Sequence, residues 1–122
     1  MTPSNTPGER LRSAIIQEHP LQVVGAVSAY AARLAEASGF NALYVSGGGV
    51  AASSCGMADL GITTMEDVLT DVRRITDITT LPVLVDIDTG WGGALNIARA
   101  IRSFTRAGAA GVHIEDQVQQ KR

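Results

Sequence analysis

Residues 83–92 of this chain, Val-Leu-Val-Asp-Ile-Asp-Thr-Gly-Trp-Gly, narrow the possible folds more than any other stretch. An apolar run without polar alternation stops abruptly at two acids and then enters a glycine-rich turn. A strand with no polar face is covered on both sides, which is the pattern of a parallel strand packed between layers. Successive strand side chains point to opposite faces, so Asp86 and Asp88 are expected to point the same way. Two carboxylates on one face of a strand end repel each other unless a cation lies between them. A hard divalent ion such as Mg²⁺, with Mn²⁺ as a substitute, suits that place, because it takes oxygen ligands and needs only one or two carboxylates beside water and substrate.

The same pattern recurs along the chain. A helix is expected over Pro7–Gln17, with apolar Leu11, Ala14 and Ile15 at helical spacing. It should end before His19-Pro20, since the residue preceding proline is pushed out of the α region. Residues 1–7 read as a flexible lead. A short strand over Leu21–Ala26 precedes an alanine-rich helix, Ala29–Ser38, which Gly39 closes. The strand Ala42–Val45 runs into Ser46-Gly47-Gly48-Gly49, and a loop of small residues, 50–62, follows. Thr63 or Thr64 then caps a helix that reaches about Thr79. Asp67 is placed for a capping box from Thr64, and Val68, Leu69, Val72 and Ile75 form the apolar stripe. The strand Pro82–Val85 leads to a helix over Gly93–Ala107, with Leu95, Ala98, Ile101 and Phe104 expected to face inward and Gly108 to stop it. A fourth strand, Gly111–Ile114, ends at Glu115-Asp116-Gln117.

Alternating βα units with short connections define an α/β fold, either a TIM-type barrel or a doubly wound sheet. The first βα turn has no G-x-G-x-x-G and no Walker loop is present, which disfavours a nucleotide-binding doubly wound sheet. Ser46, Asp86, Asp88, His113 and Glu115 all fall at the C-terminal ends of strands, the rim on which barrel active sites are built. A (β/α)₈ barrel takes about 250 residues. The 122 residues therefore read as about the first four βα units, the N-terminal half of one barrel domain.

Composition removes several function classes. The net charge is −2 and no Lys/Arg cluster is present, which argues against nucleic acid as a partner. No apolar run approaches membrane-spanning length, and residues 1–8 lack the regions of a signal peptide. The single cysteine, Cys55, fits a reducing cytoplasm. No Lys, Arg or His in its loop would lower its pKa, so it reads as a small packed residue and not as a nucleophile.

The remaining polar residues carry weaker signals. Ser46-Gly47-Gly48-Gly49 offers a hydroxyl and bare amides to a carboxylate or phosphate, or it is a hinge. His113 and Glu115 repeat the i, i+2 spacing of the two aspartates on the next strand. Beside those acids, His113 is placed to hydrogen-bond a substrate oxygen or transfer a proton. Asp59 reads as a turn residue that could also reach over the rim, His19 as a loop residue, and Trp91 as lining a pocket or covering the rim.

Taken together, Tyr44-Val45-Ser46-Gly47-Gly48-Gly49, Asp59-Leu60-Gly61, Asp86-Ile87-Asp88-Thr89-Gly90-Trp91-Gly92, Gly111-Val112-His113-Ile114-Glu115-Asp116-Gln117 and Lys121-Arg122 resemble the isocitrate lyase/phosphoenolpyruvate mutase superfamily. Within it they resemble most the 2-methylisocitrate lyase branch, and the resemblance covers residues 8–122. It implies a TIM-type barrel, Mg²⁺, and cleavage of 2-methylisocitrate to pyruvate and succinate in propionate breakdown, the methylcitrate cycle. It implies substrate contacts from Tyr44, Ser46, Gly47 and Gly48, the last three holding the carboxylate of the pyruvate half. Asp86 and Asp88 become metal carboxylates, and Asp59 and Glu115 act through metal-bound water. Lys121 becomes an active-site residue on a catalytic loop, with His113 beside it among the catalytic groups. It further implies a small-molecule di- or tricarboxylate partner and homo-oligomers at full length.

Two departures stand out. The lyases carry their catalytic cysteine in a Cys-Gly-His segment directly after a Lys-Lys or Lys-Arg pair, where this chain stops, and Cys55 does not match it. The chain alone is therefore expected to be inactive. Ile87 is bulkier than the alanine expected between the aspartates, and it should point away from the metal. Alternative readings are a non-catalytic half-barrel, or a phosphoenolpyruvate mutase or oxaloacetate hydrolase relative. Lys121-Arg122 after Asp116-Gln117 favours the lyase branch.

Overall fold

The computed structural model describes residues 5–119. Its elements follow in the order α1 (Pro7–Gln17), β1 (Val23–Gly25), α2 (Ala29–Ala37), β2 (Ala42–Val45), α3 (Gly47–Gly49) widening into a π-helical turn (Val50–Ser54), α4 (Met65–Thr76), β3 (Val83–Asp86), α5 (Ala94–Arg106) and β4 (Gly111–His113). The four strands form one parallel sheet in the order β1-β2-β3-β4. Each crossover steps to the adjacent strand and the order never reverses. A doubly wound sheet contains such a reversal; the order of these four strands is that of a partial barrel.

The helices form where their ends are chemically specified. Thr6 caps α1 and exchanges bonds with Glu9, and Thr64 does the same with Asp67 at α4. These reciprocal capping boxes satisfy amides that the first turn leaves without partners. The helix begins at Pro7 as the sequence reading has it, and Thr6, read as part of a flexible lead, is its cap. Gly39 and Gly108, both at positive φ, follow α2 and α5 as their stops.

One face of the sheet carries the core. Leu43, Val45, Val83, Val85 and Ile87 are essentially inaccessible and pack against Val68, Leu69, Val72 and Ile75 of α4 and Ala100 and Phe104 of α5. Each such aliphatic side chain contributes roughly 1.5–3 kcal/mol on burial. Ile87 is one of them, so its bulk bears on packing alone. By alternation the opposite face carries Val23, Gly25, Ala42, Tyr44, Leu84, Asp86, Gly111 and His113. Helix α1 lies across the lower end of that face: a Cβ on Gly111 would stand 3.3 Å from both Leu11 and Leu84.

The α5 stripe needs correction. Leu95 is 87% exposed and Ile101 39%, while Ala100 and Phe104 are fully buried. The inward face is therefore rotated from the one read in the sequence. Leu95 and Ile101 lie on exposed flanks of the helix. At the other end of the layer Tyr30 and Leu34 of α2 are likewise 72% and 51% exposed.

Among the described residues strands β1 and β4 are each paired on one side only, and open strand edges recruit other chains. We expect the isolated 122-residue chain to self-associate and to bind a hydrophobic dye, as read by sedimentation and dye emission. A sharp monomer with a cooperative thermal transition and no dye binding would show that the half-barrel is self-sufficient.

Candidate metal and substrate site

The site is built where β2, β3 and β4 end side by side. Strand β2 runs into Ser46, whose backbone is still extended and whose Oγ accepts from the Gly49 amide at 3.1 Å. The three glycines are therefore the first turn of a helix capped by serine, not an irregular loop. The sequence reading of 50–62 as loop fails at its start for the same reason, since residues 50–54 continue that helix. Glycine in a helix costs about 1 kcal/mol per residue relative to alanine, which is why the composition hid it. The signal available was Ser46 itself, a strong N-cap type three residues before Gly49.

The reason for glycine here is close approach. A Cβ on Gly47 would stand 3.1 Å from Asp86 Oδ2 and 3.3 Å from Asp88 Oδ1, and one on Gly48 would stand 3.0 Å from Asp59 Oδ2. Three carboxylates therefore press against two side-chain-free positions of one helical turn. The Gly47 amide donates to Asp86 Oδ2 at 3.1 Å, and the Asp88 amide donates to Asp86 Oδ1 at 2.9 Å. Bonds from amides to a carboxylate are charge-assisted and hold it in place.

Asp86 and Asp88 are both buried, at 6% and 7% exposure. They converge as expected, but by a different backbone. Strand β3 ends at Asp86, and Asp88 sits beyond it in a left-handed turn with φ 48°. That turn is fastened to the next strand end, where the Glu115 amide donates to the Asp88 carbonyl at 2.7 Å. Asp86 is in register with His113 across β3 and β4. The His113 Nδ1 lies 4.0 Å from Asp86 Oδ1 and 3.2 Å from the Tyr44 hydroxyl.

The structure thus assembles Tyr44, Ser46, Gly47, Gly48, Asp59, Asp86, Asp88 and His113 around one rim. Asp59, exposed in its loop, is drawn to the Gly48 turn. Glu115 is half-buried, fastened through its backbone to Asp88, with its carboxylate accepting from the Gln117 side-chain amide. Lys121 lies outside the described residues. Trp91 covers the outer layer: its ring stacks on Phe104 at 5.8 Å and its Nε1–H donates to the Thr63 carbonyl at 3.2 Å. Cys55 is half-buried against the core. Burial, with the Asp67 and Asp71 carboxylates nearby, holds its thiol above the ordinary value, so at neutral pH it is protonated and a poor nucleophile.

Among the described residues no group of three His, Cys, Asp or Glu side chains forms a ready metal cage. Mg²⁺ does not require one, since it is held by one or two carboxylates and keeps water or substrate for the rest. Two buried aspartates converging on a glycine that leaves room for them fit that ion.

Residues 11–122 match the family model described as phosphoenolpyruvate phosphomutase. The chain belongs to that family. It is 56% identical over 119 residues to the 2-methylisocitrate lyase of Escherichia coli K12, covering 97% of this chain and 40% of the relative. The counterpart from Shewanella oneidensis is 60% identical over 115 residues, 94% of this chain and 39% of the relative. The chain thus spans about two fifths of the length of these curated family members. Among solved structures, 2,3-dimethylmalate lyase superposes with a TM-score of 0.83 at 42% identity, over 98% of this chain and 42% of that one. Phosphonopyruvate hydrolase, solved with oxalate and Mg²⁺, superposes with a TM-score of 0.80 at 29% identity, over 93% of this chain and 40% of that one. No helix among the described residues is long and apolar enough to cross a membrane.

Proposed function

We propose that the protein built on this chain is a Mg²⁺-dependent carbon–carbon lyase that splits 2-methylisocitrate into pyruvate and succinate, and that this chain supplies its metal acids and part of its substrate cradle. The observation that carries the reading is the convergence of Asp86 and Asp88 on Gly47, beside the Ser46-capped turn. Identity of 56% and 60% to 2-methylisocitrate lyases supports that substrate. A relative solved with Mg²⁺ supports the ion.

In this reading Asp86 and Asp88 hold the ion, and Asp59 and Glu115 orient its water ligands. Bound there, Mg²⁺ would supply the positive charge that eases loss of a substrate hydroxyl proton and would hold the developing pyruvate, while the C–C electron pair leaves on the succinate half, where a proton must be delivered. Ser46 Oγ and the first-turn amide of Gly48 orient the pyruvate carboxylate. The Gly47 amide serves a different purpose, holding Asp86. His113, kept in place by Tyr44, bonds a substrate oxygen at the rim. Lys121 belongs to the same active site. By the family likeness the complete protein is a cytoplasmic homo-oligomer.

A chimera tests this: residues 1–122 joined to the remaining length of the Escherichia coli lyase. We expect Mg²⁺-dependent pyruvate release from 2-methylisocitrate, faster than from 2,3-dimethylmalate or oxaloacetate. A folded chimera with a native circular dichroism spectrum and no pyruvate release would overturn the assignment.

A further inference from the structure

Asp71 is a charged side chain on the apolar stripe of α4, buried to 6% exposure between Val68, Val72 and Ile75. A carboxylate in such a place is costly unless bonded. Its Oδ2 accepts from the Ser54 hydroxyl, and its Oδ1 lies 3.5 Å from the Arg74 guanidinium, which is 68% exposed. The solvent-facing ion pair is worth little. The bond from Ser54, part-buried, is the one that ties the Asp71 carboxylate to another element.

Ser54 is the last residue of the π-helical turn that continues from Gly47–Gly49. Such turns are rare, and they redirect the helix containing them. The segment is tied at both ends. At its start the Gly47 amide donates to Asp86; at its end the Ser54 hydroxyl donates to Asp71. Between the ends, the backbone is fastened by Val50 N–H to the Ser46 carbonyl at 3.0 Å and Cys55 N–H to the Val50 carbonyl at 3.2 Å. A short helix pinned at its far end has a fixed axis, and the direction of its first amides follows from that axis.

We propose that Asp71 is a positioning residue for the metal carboxylates, acting through Ser54 to set the helical turn whose Gly47 amide holds Asp86. The inference rests on the metal assignment above for its consequence, but not for its geometry. It accounts for a buried charge on α4 and for the π-helical turn that brings Ser54 to it.

The test uses Ser54→Ala, Ser54→Thr and Asp71→Asn in the protein, with two readouts. The first is backbone hydrogen exchange by mass spectrometry over residues 46–54, compared with strand residues 83–86. The second is Mn²⁺ affinity by calorimetry. Ser54→Ala is expected to speed exchange over 46–54 by about tenfold, leave 83–86 unchanged, and weaken Mn²⁺ by about tenfold, the scale found for partners of metal ligands. Ser54→Thr should restore both. Unchanged exchange, or faster exchange with unchanged Mn²⁺ affinity, overturns the proposal. Should Asp71→Asn fail to fold, Ser54→Ala decides alone. If the parent protein binds no Mn²⁺, the metal assignment falls, while exchange over 46–54 still decides whether Asp71 sets the turn.

Discussion

Replacing Asp86 by alanine is expected to lower Mg²⁺ and Mn²⁺ affinity by more than about a hundredfold, beyond the 10–100-fold scale seen when only a partner of a ligand is lost. The substitution removes a buried carboxylate and leaves the Gly47 and Asp88 amides facing a void. Asp86→Asn separates the two effects. It keeps an oxygen for an amide and loses the charge, so it should bind cations nearly as poorly as alanine while retaining more stability. Asp88→Ala should cost less, since Asp88 assists from a turn and Asp86 is fixed by two amides. Titration calorimetry on the chimera is the measurement, and unchanged affinity in Asp86→Ala would remove the metal assignment.

Phe104→Ala is expected to destabilise the folded protein by about 3–5 kcal/mol, the usual range for deleting a fully buried aromatic ring. Phe104 has no exposed surface and lies under Trp91 at 5.8 Å with the rings 19° apart. A domain holds only about 5–15 kcal/mol in total, so the loss is large. Phe104→Leu should recover more than half of it by refilling the space. Urea unfolding followed by circular dichroism on the chimera measures both. A cost below about 1 kcal/mol for alanine would mean that the site collapses around the gap and that this contact does not anchor α5.

The sequence revealed helix α4 almost completely. Its capping residues, its stripe of Val68, Leu69, Val72 and Ile75 and their burial all agree, because cap chemistry and a 3.6-residue period are local properties. Helix α5 was harder. Apolar residues lie on both its core face and its flank, and periodicity cannot tell a face covered by the sheet from one that awaits a neighbouring helix. Strands β1 and β4 came out shorter than read, Val23–Gly25 and Gly111–His113, because each has a partner on one side only.

In the site, alternation found Asp86 and Asp88 for a reason that holds only in part: convergence comes from the left-handed turn at Asp88 and not from continued strand. Ser54 and Asp71 were not found at all. They are 17 positions apart, and their meeting depends on a π-helical turn that glycine and serine disguise. His113 was read at a strand end and Tyr44 within the second strand, 69 positions apart, but only sheet register brings them within 3.2 Å.

The stack of Trp91 on Phe104 has a practical consequence. Trp91 is the chain's only tryptophan, and it sits in the turn that begins at Asp88, its indole N–H fastened to Thr63. The molecule therefore carries a single built-in fluorophore at the junction of rim and outer layer. Its emission colour and lifetime report on one turn without any label, so cation arrival at the aspartates and detachment of α5 become optically visible events in the native chain.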